Sequence, residues 1–320
     1  MTCLRIACLA LAFAISAATS GFAAQKLPVV ASFSILGDVV SEVGGDRIEL
    51  KTIVGPDGDA HVYQPTPADA ATITDAAIVF VNGAGFEGWI ERLIKASGYK
   101  GPVVKATEGV RLLESEMHDD DDHGKKGHKS ESGKKASGHH HDHGDHDPHA
   151  WQAVENVIIY AANVRDGLCK VDAAGCETYT RNAAAYTKKL EALDNEIRAK
   201  LNNIAEGKRK VITSHDAFSY FANSYGVTIL APQGISTESE ASASDVARLI
   251  DQIRKEGIRA VFVENVSDPR LIEQIARETG AKIGGKLFSD ALSKASGPAG
   301  TYIDMMRNNA THIAGALSSS

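Results

Sequence analysis

Apolar residues along the chain fall into two series of short runs separated by segments with three-four spacing. In the first series, Leu27–Phe33, Ile48–Val54, Ala77–Val81 and Pro102–Lys105 predict buried strands. Leu36–Val43, Pro67–Thr74 and Phe86–Ala96 predict the helices between them. In the second series the strands are Lys210–Thr213, Val227–Ala231, Ala260–Glu264 and a short one near Lys282–Gly285. Its helices are Ala217–Tyr225, Ser244–Glu256, Asp268–Thr279 and Ala299–Leu317. Alternation of this kind implies an α/β protein with two mainly parallel sheets and right-handed crossovers.

Two longer helical patterns lie between the series. Trp151, Val154, Val157, Ile158, Ala161, Val164 and Leu168 share one face. Tyr179, Ala183, Tyr186, Leu190, Leu193, Ile197, Leu201 and Ile204 keep the spacing through a second, longer run. Such a helix is roughly 45 Å long, more than one small domain requires, so it suits a rigid connection between two lobes. The expected organisation is an N-terminal lobe over 24–172, a linking helix over 173–207 and a C-terminal lobe over 208–320.

The stretch 118–146 breaks the pattern. It is rich in His, Asp, Gly, Lys and Ser and almost free of apolar residues. It cannot bury enough surface to offset its ordering entropy, so it is expected to be a disordered insert. The first 23 residues are set apart too. Arg5 precedes the apolar run Ile6–Ala18, and small residues follow up to Ala23 and Ala24. The run is too short to span a bilayer and fits an export signal cleaved near that point, which places the mature chain in the periplasm. Cys3 and Cys8 come too early to carry a lipid anchor.

The remaining length is enough for two ordinary domains. The formal net charge of −7 comes with no basic stripe, which argues against a nucleic-acid partner. Cys169 and Cys176 are close in sequence, and in an oxidising compartment a local disulfide is the plain reading. A metal pair is the weaker alternative, because two thiols alone do not complete a site.

Histidines carry the chemistry. His118, His123, His128, His139, His140, His141, His143 and His146 crowd the insert among Asp119–Asp122, Asp142 and Asp145. Imidazoles suit zinc, copper and nickel, so this tract is expected to collect such ions weakly or exchange them quickly. The alternative is a solubilising linker. Outside it, His61 follows the second strand, His149 precedes a helix and His215 lies between a strand and a helix. Asp290 follows the last strand. In open α/β sheets, ligands bind beyond the carboxyl ends of strands. Two residues from each lobe could therefore meet in a cleft between them.

Several segments together carry a family resemblance. They are His61-Val62-Tyr63-Gln64-Pro65-Thr66-Pro67-Ala68-Asp69, Asp147-Pro148-His149-Ala150-Trp151 and Ser214-His215-Asp216-Ala217-Phe218-Ser219-Tyr220-Phe221. Gly234-Ile235-Ser236-Thr237-Glu238 and the late Asp290 join them. Over nearly its whole mature length the chain resembles the solute receptors of zinc and manganese ABC importers. The resemblance implies two four-stranded α/β lobes, one linking helix and a metal held between the lobes. It also implies that the insert corresponds to the His-rich loop of zinc members.

Carried over by position, His61, His149 and His215 are expected to be nitrogen ligands and Asp290 the carboxylate ligand. Some zinc members use water or a loop residue in the fourth place. Manganese and iron members typically carry a carboxylate where this chain has His215. Three imidazoles and one carboxylate suit Zn²⁺, whereas Mn²⁺ prefers more oxygen. Gln64 stands where Glu is frequent, which removes no ligand. Asp147, Asp216 and Glu264 are acids available to orient the imidazoles, with no order among them.

The expected function is a zinc receptor that delivers its ion to the transmembrane permease, possessed of a metal-collecting loop and acting as a monomer. A periplasmic metallochaperone is a conceivable donor. The rivals are a periplasmic zinc buffer, a manganese receptor and a zinc hydrolase. A hydrolase needs an open metal position and a general base, and the chain has no His-Glu-x-x-His segment.

Overall fold

The computed structural model describes residues 26–115 and 146–318. The expected leader and the loop histidines 118, 123, 128, 139, 140, 141 and 143 lie outside the described residues. His146 is described and exposed, and it forms an antiparallel bridge with Glu114.

The first sheet contains β1 (Leu27–Phe33), β2 (Ile48–Val54), β3 (Ile78–Val81) and β4 (Val103–Lys105). The strands are all parallel, in the order β2-β1-β3-β4. Its connections carry α1 (Ser34–Gly44), α2 (Pro67–Thr74) and α3 (Ile90–Ser97). Then come α4 (Val154–Val171) and the long α5 (Cys176–Asn202). The second sheet contains β5 (Lys210–Ile212), β6 (Thr228–Leu230), β7 (Ala260–Glu264) and β8 (Lys282–Leu287), parallel in the order β6-β5-β7-β8. Its helices are α6 (Ser219–Tyr225), α7 (Ala243–Glu256), α8 (Arg270–Thr279) and α9 (Tyr302–Ser318). The expected fold class therefore holds. Both sheets reverse strand order beside their first strand, which opens a crevice at the carboxyl ends.

The physical reasons for the elements are local. Thr66 accepts from the Asp69 backbone N–H while Asp69 accepts from that of Thr66, and Pro67 occupies the first turn. This capping box starts α2. Gly98, Gly226, Gly257 and Gly280 end α3, α6, α7 and α8 in the left-handed conformation. At Gly167 a methyl group would sit 3.0 Å from Phe80 and Val104, so the bare backbone lets α4 lie close on β3 and β4.

Several boundaries differ from the sequence reading, four of them instructively. The helix expected from Phe86 begins at Ile90, because the Glu87 carboxylate takes the backbone N–H groups of Asn82 and Gly83 and the Ser32 hydroxyl. Those bonds hold residues 82–89 as a turn. The helix expected from Ala217 begins at Ser219, since His215 to Phe218 form a loop with Ala217 N–H donating to His215 C=O. The last helix starts at Tyr302 and not Ala299, with Thr301 accepting the Asp304 N–H. The last strand runs two residues past Gly285 to Leu287, pairing with Glu264.

Helix α5 has 27 residues, about 40 Å of helix. Its apolar face, Tyr179, Ala183, Tyr186, Leu190, Leu193, Ile197 and Leu201, is fully buried. One hydrophobic cluster runs from Val29 and Phe80 through Leu190 and Leu193 to Phe262, Met305 and Ile313. The two sheets thus share a core along α4, α5 and α9. A smaller cluster of Ile212, Leu249, Ile253, Ile272 and Ile275 belongs to the second sheet alone. Cys169 and Cys176 form a disulfide joining the end of α4 to the start of α5, as the sequence led one to expect.

Candidate metal centre

Each of the four expected ligand residues leaves a different element and arrives at one place. His61 lies on the loop after β2, where the Trp89 indole N–H holds the Ala60 carbonyl at 2.7 Å. His149 lies just before α4, and His215 three residues beyond β5. Asp290 follows β8. The Phe288 N–H donates to Asn309 at 2.9 Å, and Asn309 donates back to the Phe288 carbonyl at 2.8 Å. The next carbonyl, of Ser289, accepts the Trp151 indole N–H at 2.8 Å and the Gln152 amide at 2.7 Å. The Asp290 turn is therefore pinned from both sides of the crevice.

One donor atom from each of the four lies within 4.8 Å of every other. His61 Nε2 and His149 Nε2 are 3.2 Å apart. Asp290 Oδ2 is 3.1 Å from His215 Nε2 and 3.5 Å from His61 Nε2, while Oδ1 is 3.5 Å from His149 Nε2. The side chains of His149, His215 and Asp290 are wholly buried, and that of His61 is 5% exposed. Aromatic rings wall the site. Phe86 packs edge-on to His61 at 4.8 Å, and Trp151 packs against His149 at 5.3 Å.

Two acids orient the imidazoles. His149 Nδ1 lies 2.8 Å from Asp147 Oδ1, which also accepts the His149 backbone N–H. His215 Nδ1 lies 2.6 Å from Glu264 Oε2, a close ion pair lacking hydrogen-bond alignment. The other Glu264 oxygen accepts the backbone N–H groups of Ser214 and His215. Both pairs leave Nε2 turned toward the shared point. Asp216, the third acid considered from sequence, instead accepts the Ser219 hydroxyl at the start of α6.

The electrostatics suit a cation. Burial alone would raise the Asp290 carboxyl, but His215, His149 and His61 hold it well below the usual carboxylate range. Burial opposes a charged His215, yet the carboxylates of Glu264 and Asp290 hold its pKa well above the ordinary value. Both Asp290 oxygens and His215 Nε2 are buried without a hydrogen-bond partner among the described residues. Buried polar atoms are rarely left so. A divalent ion at their common focus would satisfy them all.

The chain matches the family described as zinc-uptake complex component A periplasmic, ZnuA, over residues 29–316. It belongs to that family. It is 33% identical over 300 residues to the metal ABC transporter substrate-binding lipoprotein ScbA of Streptococcus cristatus, covering 92% of this chain and 90% of that protein. A manganese-bound variant of the periplasmic metal-binding protein from Candidatus Liberibacter asiaticus superposes with a TM-score of 0.78 at 30% identity. That match covers 92% of this chain and all of the other. The periplasmic zinc-binding protein TroA of Treponema pallidum gives 0.79 at 27% identity, covering 91% of this chain and 99% of TroA. Family membership identifies a metal-binding solute-binding protein, and not an enzyme. It does not select zinc, because the similar structures include a manganese-bound protein and a zinc-binding one. Among the described residues, no helix is long and apolar enough to cross a membrane.

One residue at the site escaped the sequence reading. Asp59 Oδ1 accepts the His61 backbone N–H at 2.9 Å, as Asp147 Oδ1 does for His149 at the same distance. The shared Asp-x-His spacing of Asp59-Ala60-His61 and Asp147-Pro148-His149 was the available signal. Burial raises the Asp59 carboxyl above its ordinary value and the nearby Asp290 charge adds to that rise, while the bond from the Thr237 hydroxyl works the other way.

Proposed function

We propose that this protein is a periplasmic receptor that binds one Zn²⁺ between its lobes and delivers it to the permease of an ABC importer. The ligands are His61, His149, His215 and Asp290. The observation that carries this reading is the convergence of three imidazole Nε2 atoms and one buried carboxylate on a single point. Three nitrogens and one carboxylate make a four-coordinate set suited to zinc. Delivery to a permease follows from the substrate-binding role named for its relative ScbA. The segment 118–146 gathers Zn²⁺, or accepts it from a periplasmic metallochaperone, and passes it inward. The receptor acts as a monomer.

A manganese receptor is the second reading, favoured by the manganese-bound relative. His215 argues against it, because Mn²⁺ prefers more oxygen than this set provides. Chelator-competition titration of metal-stripped protein, with and without 118–146, decides between them. One tight Zn²⁺ site that survives the deletion, with Mn²⁺ bound far more weakly, is the expected result. Equal or tighter Mn²⁺ binding overturns zinc specificity. Tight binding found only in the intact chain moves the chemistry into the deleted segment, and the protein becomes a zinc buffer.

A further inference from the structure

The segment Gly234–Glu238 contributes no donor to the metal centre, yet it touches the framework of two ligands from opposite lobes. Its Thr237 hydroxyl donates to Asp59 Oδ2 at 2.6 Å. Asp59 Oδ1 in turn accepts the backbone N–H of His61 at 2.9 Å. One carboxylate therefore ties the least buried of the four ligand residues to a loop of the opposite lobe. The far end of that loop is fixed beside another ligand. Gln233 forms a parallel bridge with His215, and the Asp216 N–H donates to the Gly234 carbonyl at 3.2 Å. The Gln233 side-chain amide closes the loop by donating to the carbonyls of Thr237 at 3.2 Å and Ser239 at 2.6 Å.

We propose that Thr237 and Asp59 form an interlobe latch in which Thr237 is a positioning residue that governs how fast the metal leaves. The geometry explains the choice of residue. His149, His215 and Asp290 are wholly buried, whereas His61 alone reaches solvent. His61 is also borne on a loop without regular secondary structure. An ion leaving toward solvent must pass His61, and movement of its backbone stretches the bond to Asp59. That bond is backed by the Thr237 hydroxyl, so the N-terminal loop can yield only when the C-terminal loop releases it. A hydrogen bond to a charged acceptor is strong enough for its loss to change a rate by about tenfold or more. The inference rests on the reading of His61 as a ligand.

The test is stopped-flow release of Zn²⁺ from the full-length protein into excess chelator. Thr237→Val, Thr237→Ser, Asp59→Asn and His61→Ala are compared with the unaltered chain. Thr237→Val should release the ion about tenfold faster, and Thr237→Ser, which restores the hydroxyl, should release it at the original rate. Asp59→Asn cannot accept both bonds as a carboxylate does and should also be fast, a second route to the answer if the valine variant folds poorly. Thr237→Val should also lower the metal-free thermal midpoint by the loss of one hydrogen bond, so it is the return of the original release rate in Thr237→Ser that ties the effect to the hydroxyl. Unchanged release from Thr237→Val, or equally fast release from Thr237→Ser, overturns the latch. His61→Ala should lose tight binding at equilibrium. If it binds Zn²⁺ as tightly as the unaltered protein, the ligand reading itself fails, and the latch fails with it.

Discussion

Glu264 holds His215 twice, through an ion pair at Nδ1 of 2.6 Å and a hydrogen bond of 3.0 Å from its backbone N–H. Glu264 closes β7 while His215 follows β5, its neighbour in the sheet. Strand pairing therefore sets where the imidazole stands, and the carboxylate sets which nitrogen it offers. Glu264→Gln should weaken Zn²⁺ binding about 10- to 100-fold, the usual cost of losing such a partner. Chelator competition reads the loss, and circular dichroism should show an unchanged fold.

The four donors should not be equal in a substitution series. His149→Ala and His215→Ala each remove a fully buried nitrogen and should abolish tight binding. Asp290→Ala should cost less, because water can take the vacated position. Isothermal titration of each variant, at one pH and salt concentration, gives the order. An Asp290→Ala loss as severe as the His149→Ala loss would contradict it.

Zinc binding should weaken as pH falls, because a ligand imidazole must be neutral. Glu264 and Asp290 raise the pKa of His215 in the metal-free protein. Protonated His215 therefore persists above its ordinary range near 6.5. Affinity should keep rising with pH beyond that value, by up to about tenfold per unit while this proton is displaced. Titrations across pH 5.5–8.5 check the slope, and in Glu264→Gln the rise should level off at lower pH.

Asp38 on α1 accepts the Tyr302 N–H at the start of α9, 2.9 Å away. Burial, with a smaller push from Glu42, raises its pKa to about 6. The sign of the linkage is then fixed. The folded state binds more protons than the unfolded state between the ordinary carboxylate value and about 6, so stability from this group falls as pH rises through that window. Above it, the charged Asp38 is a standing cost. Asp38→Asn keeps an acceptor for Tyr302 and should flatten this part of the pH dependence. It should gain on the order of 1–3 kcal/mol near pH 7, with partial exposure drawing the value to the low end. Denaturant unfolding of metal-free protein measures both effects.

The Cys169–Cys176 disulfide closes a short loop at the C-terminal end of α4, the opposite end of that helix from His149. Replacing both cysteines with serine should lower stability by about 2–3 kcal/mol and leave zinc affinity unchanged. Thermal melts and chelator competition, run on the same sample, separate the two.

Much of this arrangement was legible in the sequence. Strand and helix alternation exposed both sheets because parallel strands are buried on both faces and read as continuous apolar runs. The candidate ligand histidines stood out because His61 and His215 sit beyond strand ends and His149 stands at the entrance of a helix. What the sequence withheld was partnership between distant positions. Asp147, Asp216 and Glu264 looked equivalent until the fold set Asp147 and Glu264 beside imidazoles and Asp216 at a helix start. The Glu87 turn was read as helix because Phe86, Trp89 and Leu93 fit the spacing, while its competing bonds to Asn82 and Gly83 are tertiary features. The reading of zinc rests on the donor types alone, because related proteins of the same fold include a manganese-bound one and a zinc-binding one.

The course of α9 has a kinetic consequence. This final helix packs on α5 and reaches α1, more than 250 positions back along the chain, through the bond from Tyr302 to Asp38. Met305, Met306 and Ile313 complete a core that begins at Val29. An N-terminal fragment therefore exposes the surface they cover, and the full apolar interior closes only after the last helix is available. Folding waits on α9, and contacts this distant in sequence slow it. A chain still crossing a membrane has no finished native state to fall into until α9 has arrived.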